Sequence, residues 1–348
     1  MSDTIRILAM TCEDLTLRLK KQFGKGEYHA KAIMREIYLH GNKNLESVRE
    51  FKRSGTLAQE LQEVIHVLTL PIVHKRSDDG VIKYTSRLPD GHCIESVIIP
   101  MLYHHTLCIS SQVGCRMGCT FCQTGQMGFI RHLRAEEIVA QVYTAIFNLN
   151  VPVRNIVFMG MGEPFDNIDE VFQAIRILTD PRGFDFPQKY ITLSTSGHVP
   201  GIQQLSKSGQ KGIHLAISIN AANDDLRNQL MPINRKYPLQ KLQACLKQYP
   251  LKSKGILFIE YVLINGVNDT KKDVSALVDF VAPLRVRINM IPYNPQANDL
   301  YQSPSPEGFN QFCDWLIEKK LYVRKRATKG QNVMAACGQL SAARNNAL

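Results

Sequence analysis

Cys115, Cys119 and Cys122 form a C-x3-C-x2-C run inside the stretch 108–131, CISSQVGCRMGCTFCQTGQMGFIR, with Gly114, Gly118 and Gly125 interleaved. Three thiolates this close in sequence converge on one point only where the backbone loops tightly, which glycine permits. The count is as informative as the spacing. Four cysteines complete the coordination of most electron-transfer clusters, whereas three on a four-iron, four-sulfur cluster leave one iron open. An iron with an open position can bind and reduce a substrate. Two other readings stand beside this one. A structural zinc site needs four ligands and usually joins one tight pair to a distant second pair. Cys108 offers a fourth ligand, but there is no second tight pair. Three unrelated cysteines packed as small hydrophobes are the third reading.

Other residues of chemical type fall at the ends of strand-like runs. Gly160-Met161-Gly162-Glu163-Pro164 closes one such run; glycine lets a ligand approach the backbone, and a glutamate there can accept from an ammonium group. Ser194 in LSTSG and Ser218 in AISIN hold similar positions, where serine commonly caps a following helix. Glu95 sits between Ile94 and Val97 in a β-rich run, and alternation alone would put it on the wet face. Cys337, between Ala335-Ala336 and Gly338, reads by itself as a small buried residue. Arg324, Lys325, Arg326 and Lys329 upstream of it could lower a thiol's pKa or bind phosphate. Cys12, Cys93, Cys245 and Cys313 read as packing residues.

An aromatic residue, Phe121, precedes the last of the three cysteines, as in the signature of radical S-adenosylmethionine enzymes. The wider string, with TLCISSQVGC before it and MAACGQL near the end, resembles the RlmN/Cfr-type radical S-adenosylmethionine RNA methyltransferases over about residues 20 to 342. The resemblance implies a four-iron, four-sulfur cluster on Cys115, Cys119 and Cys122. It implies S-adenosylmethionine held by Gly162, Glu163, Ser194, Ser218, Ile219, Asn220 and Asn294. Asn220 is a departure, since the family usually has histidine there; asparagine still hydrogen-bonds but does not titrate near neutrality. The resemblance further implies Glu95 as a general base, Cys337 as a methyl-carrying cysteine, and Cys108 as the thiol that attacks Cys337 and frees product through a transient disulfide. The expected reaction is methylation of an adenine ring carbon, carbon 2 favoured over carbon 8, in ribosomal RNA and in some members transfer RNA. An electron donor such as flavodoxin and a monomeric chain complete the expectation. A radical enzyme of another RNA-modifying kind, or a non-enzymatic zinc-containing RNA-binding protein, is the alternative.

The elements that must position these residues are legible as patterns. Residues 1–75 space apolar residues three and four apart, as one-faced helices do, and read as a helical accessory module. Lys20, Lys21, Lys25, Lys31 and Arg35 make it basic and, with the resemblance, suggest RNA contact. Residues 76–105 read as a β extension carrying Glu95, with a turn at Pro89-Asp90-Gly91. From 106 to 320, six strand-like runs alternate with helical ones, which gives a parallel sheet. The fold class is α/β, and six units match the partial (β/α)6 barrel that the resemblance implies, with reacting groups at the C-terminal strand ends. Residues 321–348 form a C-terminal segment carrying Cys337. A net charge of +11 over 348 residues favours polyanionic partners. Nine cysteines, an odd number, argue for a reducing interior. No leader pattern or long apolar run is present, so a cytoplasmic location and no membrane partner are expected.

Overall fold

The computed structural model describes residues 4–52, 55–295, 300–326 and 338–340. The chain starts with β1 (Ile5–Arg6), followed by helices α1 (Cys12–Phe23), α2 (Glu27–Met34) and α3 (Gly55–Val64), and returns to pair β2 (Ile65–His66) in parallel with β1. Local chemistry sets the bounds of α1. Thr11 and Asp14 satisfy each other's backbone N–H groups in a capping box, and Gly24 ends the helix at φ 62°. Its apolar stripe, Leu15 and Leu19, is fully buried. This unit does not keep a core of its own. Asp180 accepts the Cys12 N–H at 2.6 Å, Gln173 donates to the Ala9 carbonyl, and the buried residues of the first 70 positions run continuously into those of the barrel.

Four antiparallel strands follow: β3 (Ile72–Asp78), β4 (Val81–Arg87), β5 (Cys93–Pro100) and β6 (His105–Cys108). A short hairpin of β7 (Gln112–Gly114) and β8 (Phe129–His132) then brackets the cysteine loop and the single-turn helix α4 (Gln123–Gln126). After it the chain alternates: α5 (Ala135–Tyr143), β9 (Val153–Phe158), α6 (Ile168–Leu178), β10 (Ile191–Thr195), α7 (Val199–Lys207), β11 (His214–Ser218), α8 (Asp224–Leu230) and α9 (Leu239–Lys247), β12 (Leu257–Leu263), α10 (Lys271–Val281), β13 (Val286–Pro292), α11 (Pro306–Glu318) and β14 (Val323–Lys325).

One ten-stranded sheet runs β14-β13-β12-β11-β10-β9-β6-β5-β4-β3. Every neighbouring pair from β6 through β14 is parallel, so the α/β barrel fold expected from the alternating pattern is present. The sheet adds a seventh parallel strand, β14, three residues beyond the expected six units. It curls without closing: residues of β4 and of β14, near opposite edges, face the same interior cavity. Of the basic residues in the N-terminal module, Lys31 pairs with Glu27, and Arg35 is clamped by Glu36 and Glu50. Lys20, Lys21 and Lys25 make no ion pair among the described residues. No described helix is long and apolar enough to cross a membrane.

Candidate cofactor and active site

The β7–β8 hairpin creates the cysteine loop. Gly114 adopts φ +74°, and a Cβ on it would collide with the Gly128 carbonyl, which instead accepts the Cys115 N–H at 2.9 Å. Within the loop the Cys122 N–H donates to the Cys119 carbonyl at 3.1 Å, so the chain turns back on itself. Cys115, Cys119 and Cys122 come together on one wall of a cavity of about 160 Å³, beside Phe121. Burial pushes all three thiols up, Cys115 to about 12, and the neighbouring sulfurs push Cys115 and Cys119 further. Three buried thiols therefore stay protonated until a cation offsets the loss of solvation, as metal coordination does. Among the described residues no three His, Cys, Asp or Glu groups are grouped as for a single metal ion. A cluster carries its ligands on separate iron atoms, so it takes a wider set than one ion does. The donor set and the cavity fit such a group.

Opposite the cysteines lies the end of β9. Gly162 has φ +103°, and a Cβ there would run into the Gln112 side chain. Gln112 holds this turn by accepting the Glu163 N–H at 2.9 Å and donating to Asp166 at 2.9 Å. Glu163 is buried; its carboxylate accepts the backbone N–H and hydroxyl of Ser196, both at 2.8 Å, and the Phe165 N–H at 3.2 Å. Burial pushes its carboxyl pKa up, and the Ser196 bonds partly oppose that. Aimed into the cavity, this carboxylate can accept an ammonium group, which would hold it ionised.

Gly162, Ser194, Ser218 and Asn220 all line the same cavity. Ile219 is fully buried away from it, and its N–H donates to the Glu260 carbonyl. Asn220 takes a left-handed backbone, φ 56°, and its side chain is engaged inside the fold. Its carbonyl oxygen accepts the Val262 N–H at 2.9 Å, and its amide faces the Met231 sulfur at 3.3 Å. Asn294 lines a neighbouring cavity, donates to the Pro292 carbonyl at 3.0 Å and accepts from Gln339 at 3.3 Å.

Arg227, on α8, fastens these strand ends together and is fully buried. Its guanidinium donates to the carbonyls of Ser196, Ser218 and Ile219 and to the Asn234 side chain. Burial lowers its pKa to about 10, which leaves it charged at neutral pH.

Glu95 is not on the wet face. It is 3% exposed and accepts an ion pair from Lys83 at 3.1 Å. Val97 stands opposite Lys83 on one side and Cys108 on the other, and directly opposed residues share a face. Glu95, Val97, Lys83 and Cys108 therefore point to one side of the sheet. Tyr84 and Ser96, on the other side, bond to Gln141 of α5. Because Cys108 in turn opposes Val157, which lines the interior cavity, the Glu95 face is the barrel's inner face.

The C-terminal segment returns to the cysteine loop. The Gln123 N–H donates to the Gly338 carbonyl at 2.8 Å, and the Thr124 hydroxyl donates to the Leu340 carbonyl at 2.7 Å. Gly338, at φ +84°, lies against Phe121 and Cys122 and lines the cysteine cavity. Cys337 and Lys329 fall outside the described residues. No disulfide joins two described cysteines.

Comparison with known proteins matches residues 109–281 to the Radical SAM superfamily. A probable dual-specificity RNA methyltransferase RlmN 1 of Protochlamydia amoebophila is 45% identical over 337 residues, spanning 97% of this chain and 94% of its own. The dual-specificity RNA methyltransferase RlmN of Geobacter sulfurreducens is 42% identical over 318 residues, spanning 91% and 87%. The chain belongs to the RlmN-type radical SAM RNA methyltransferases. The crystal structure of a radical SAM methyltransferase from Sphaerobacter thermophilus superposes with a TM-score of 0.90 at 36% identity, covering 97% of this chain and 99% of that one.

Sequence reasoning missed several residues around this RlmN-type site. Ser196 pins Glu163, Gln112 braces Gly162 and Glu163, Lys83 pairs with Glu95, and Arg227 ties three strand-end carbonyls. Asn268 was also missed; its amide donates to the Asn220 and Val262 carbonyls and its oxygen accepts the Ile264 N–H. Ser196 alone carried a local signal, standing two residues after Ser194 in the same strand-end segment.

Proposed function

We propose that this chain methylates a ring carbon of adenine, carbon 2 in preference to carbon 8, in ribosomal RNA and in transfer RNA, through a methyl group carried on Cys337. The docking of 338–340 against the cysteine loop carries this reading, because it brings the residue that follows Cys337 in sequence to the cavity of Cys115, Cys119 and Cys122. The names of the relatives support an RNA substrate, and the string QVGCRMGCTFCQTGQMGF supports carbon 2.

Ring carbons of a purine are electron-poor and have no lone pair with which to attack a sulfonium methyl group. The cluster on Cys115, Cys119 and Cys122, with S-adenosylmethionine, supplies radical chemistry when bound. The chain does the rest. Glu163 accepts the cofactor's ammonium, with Gly162, Ser194, Ser218 and Asn220 lining the pocket around it, Ile219 packed behind that wall and Asn294 at the adjoining cavity. Glu95 accepts the proton lost from the methylated ring carbon. The Cys108 thiolate attacks the Cys337 sulfur, and as the disulfide forms, the bond from that sulfur to the transferred carbon breaks. Its electron pair stays with the carbon, which takes up a proton to become the methyl group of the freed base. An external thiol reductant returns both cysteines to thiols. The 1–75 module contacts RNA, residues 76–105 bring Glu95, 106–320 hold the cofactor, and 321–348 bring Cys337. An external donor of the flavodoxin kind supplies electrons to a monomeric, cytoplasmic enzyme.

Anaerobic reconstitution with iron counting, followed by mass spectrometry of nucleosides from RNA of a deletion strain with and without the gene restored, tests the proposal. Brown colour, and 2-methyladenosine that returns with the gene, are expected. Cys115→Ala should lose colour and product, and Cys337→Ala product alone. A colourless zinc protein that leaves RNA unmodified would replace this reading with a binding role; 8-methyladenosine would overturn the carbon preference.

A further inference from the structure

Below the cofactor cavity, toward the N-terminal ends of the parallel strands, the sheet encloses a second cavity of about 740 Å³. Met159, Glu260 and Ile291 are walls of both. The lower cavity is lined by six cationic side chains: Arg154, Lys189, Arg287, Arg324, Lys325 and Arg326. Lys325 pairs with Asp314, and the other five form no ion pair among the described residues. Arg287 is the innermost marker. Its guanidinium lies over the Phe258 ring at 4.3 Å, and its buried Nε has no hydrogen-bond partner among the described residues. Burial, then the charges of Arg324 and Arg326, push its pKa down, with Tyr322 and Glu260 opposing them, so several cations crowd together against a single lining carboxyl. At the inner end the buried Glu260 carboxylate accepts from Asn289 at 2.6 Å, and the Asn289 Oδ1 has no hydrogen-bond partner among the described residues. The cavity is thus cationic at its mouth and hydrogen-bonding where it adjoins the cofactor pocket.

We infer that this lower cavity seats a nucleotide, with Arg287, Arg324 and Arg326 on its 5′-phosphate and its base directed toward the wall shared with the cofactor pocket. This rests on the RNA reading for the identity of the nucleotide, but the phosphate site stands on geometry alone. Guanidinium groups suit phosphate oxygens by shape and charge, and a crowded, desolvated set of them is relieved by an anion. On this inference the target adenosine is gripped by its backbone from beneath while the chemistry proceeds above.

Titration calorimetry of the cluster-loaded full chain with adenosine 5′-monophosphate and with adenosine tests this. The monophosphate is expected to bind about tenfold tighter or more, the scale of one charge-assisted phosphate contact. In Arg287→Met/Arg326→Met that preference should fall below about threefold, whereas Arg287→Lys should keep most of it. Arg324→Met, at an exposed position, supplies the same comparison if the double variant does not fold. Equal affinity for the two ligands in the parent chain, no detectable monophosphate binding, or a preference that survives the substitutions would each overturn the inference. Nucleoside mass spectrometry judges the RNA reading separately: unmodified RNA with an intact monophosphate preference sinks that reading and leaves the seat, and the converse sinks the seat alone.

Discussion

Gln123, the residue after the last of the three cysteines, donates its backbone N–H to the Gly338 carbonyl at 2.8 Å. This bond and the Thr124–Leu340 bond are the fasteners that hold a distant part of the chain against the cysteine loop. Gly338→Val should loosen them, because φ +84° is strained for a β-branched residue by roughly 1–2 kcal/mol. The expected phenotype is unchanged iron content with product formation down by about tenfold. Iron counting beside single-turnover product formation checks it; a parallel fall in iron would point instead to collapse of the loop.

Glu163 and Ser196 make a second fixed pair. Glu163→Gln removes the charge that an ammonium would meet while preserving the size of the side chain. S-adenosylmethionine affinity is expected to weaken by roughly tenfold or more, on the scale of a charge-assisted hydrogen bond. Equilibrium binding reads this directly, and unaltered affinity would remove Glu163 from the pocket's recognition set.

Lys83 and Glu95 are both nearly enclosed. Breaking such a pair leaves an uncompensated charge, so Lys83→Met alone should cost about 3–5 kcal/mol. Lys83→Met with Glu95→Leu should cost less than either single change suggests, and denaturant unfolding of the four proteins in a double-mutant cycle measures the coupling. Additive effects would mean that the two charges do not depend on each other.

Glu260 supplies a pH signature. Burial raises its pKa above the ordinary 4.5, so the folded state holds the proton more tightly than the unfolded chain. The neutral acid therefore contributes its full stability below about pH 4.5, and that contribution fades as pH rises through the raised value. Glu260→Gln should melt with the parent near pH 4 and above it at pH 7. Thermal melts across that range check the sign; a variant less stable at pH 7 than at pH 4 relative to the parent would reverse it.

Arg227→Met should be among the most damaging changes outside the cysteines. It leaves three carbonyls and the Asn234 side chain without their donor, at about 1–3 kcal/mol for each buried group that water cannot reach. Denaturant unfolding reads the loss, and Arg227→Lys should recover only part of it, since one ammonium cannot reproduce the planar fork.

What the sequence revealed follows from how far each signal travels along the chain. The three cysteines lie within eight residues, so spacing and glycine content expose them directly. Strands β9 to β13 were legible because short apolar runs alternated with helical patterns, and their ends then pointed to Glu163, Ser194 and Ser218. The braces were not legible because their partners are remote: Gln112 lies 51 residues from Glu163, and Arg227 lies 31 from Ser196. Strand β14 escaped for another reason. Val323-Arg324-Lys325 is too short and too charged to read as a strand, and only pairing with β13 makes it one. Glu95 marks the limit of alternation, which fixes that neighbours face opposite ways but not which side is wet until the sheet is assembled.

Strand β6 is paired antiparallel on one edge and parallel on the other, so Cys108 is registered against two partners at once. Removing one residue from within β6 would turn the thiol toward α5 and disturb both ladders. The connection at 101–104, by contrast, can change length without altering that alignment. Length variation in this part of the chain should therefore collect in the connecting bend and be nearly absent from the four residues after it, a pattern that can be looked for by aligning diverged relatives.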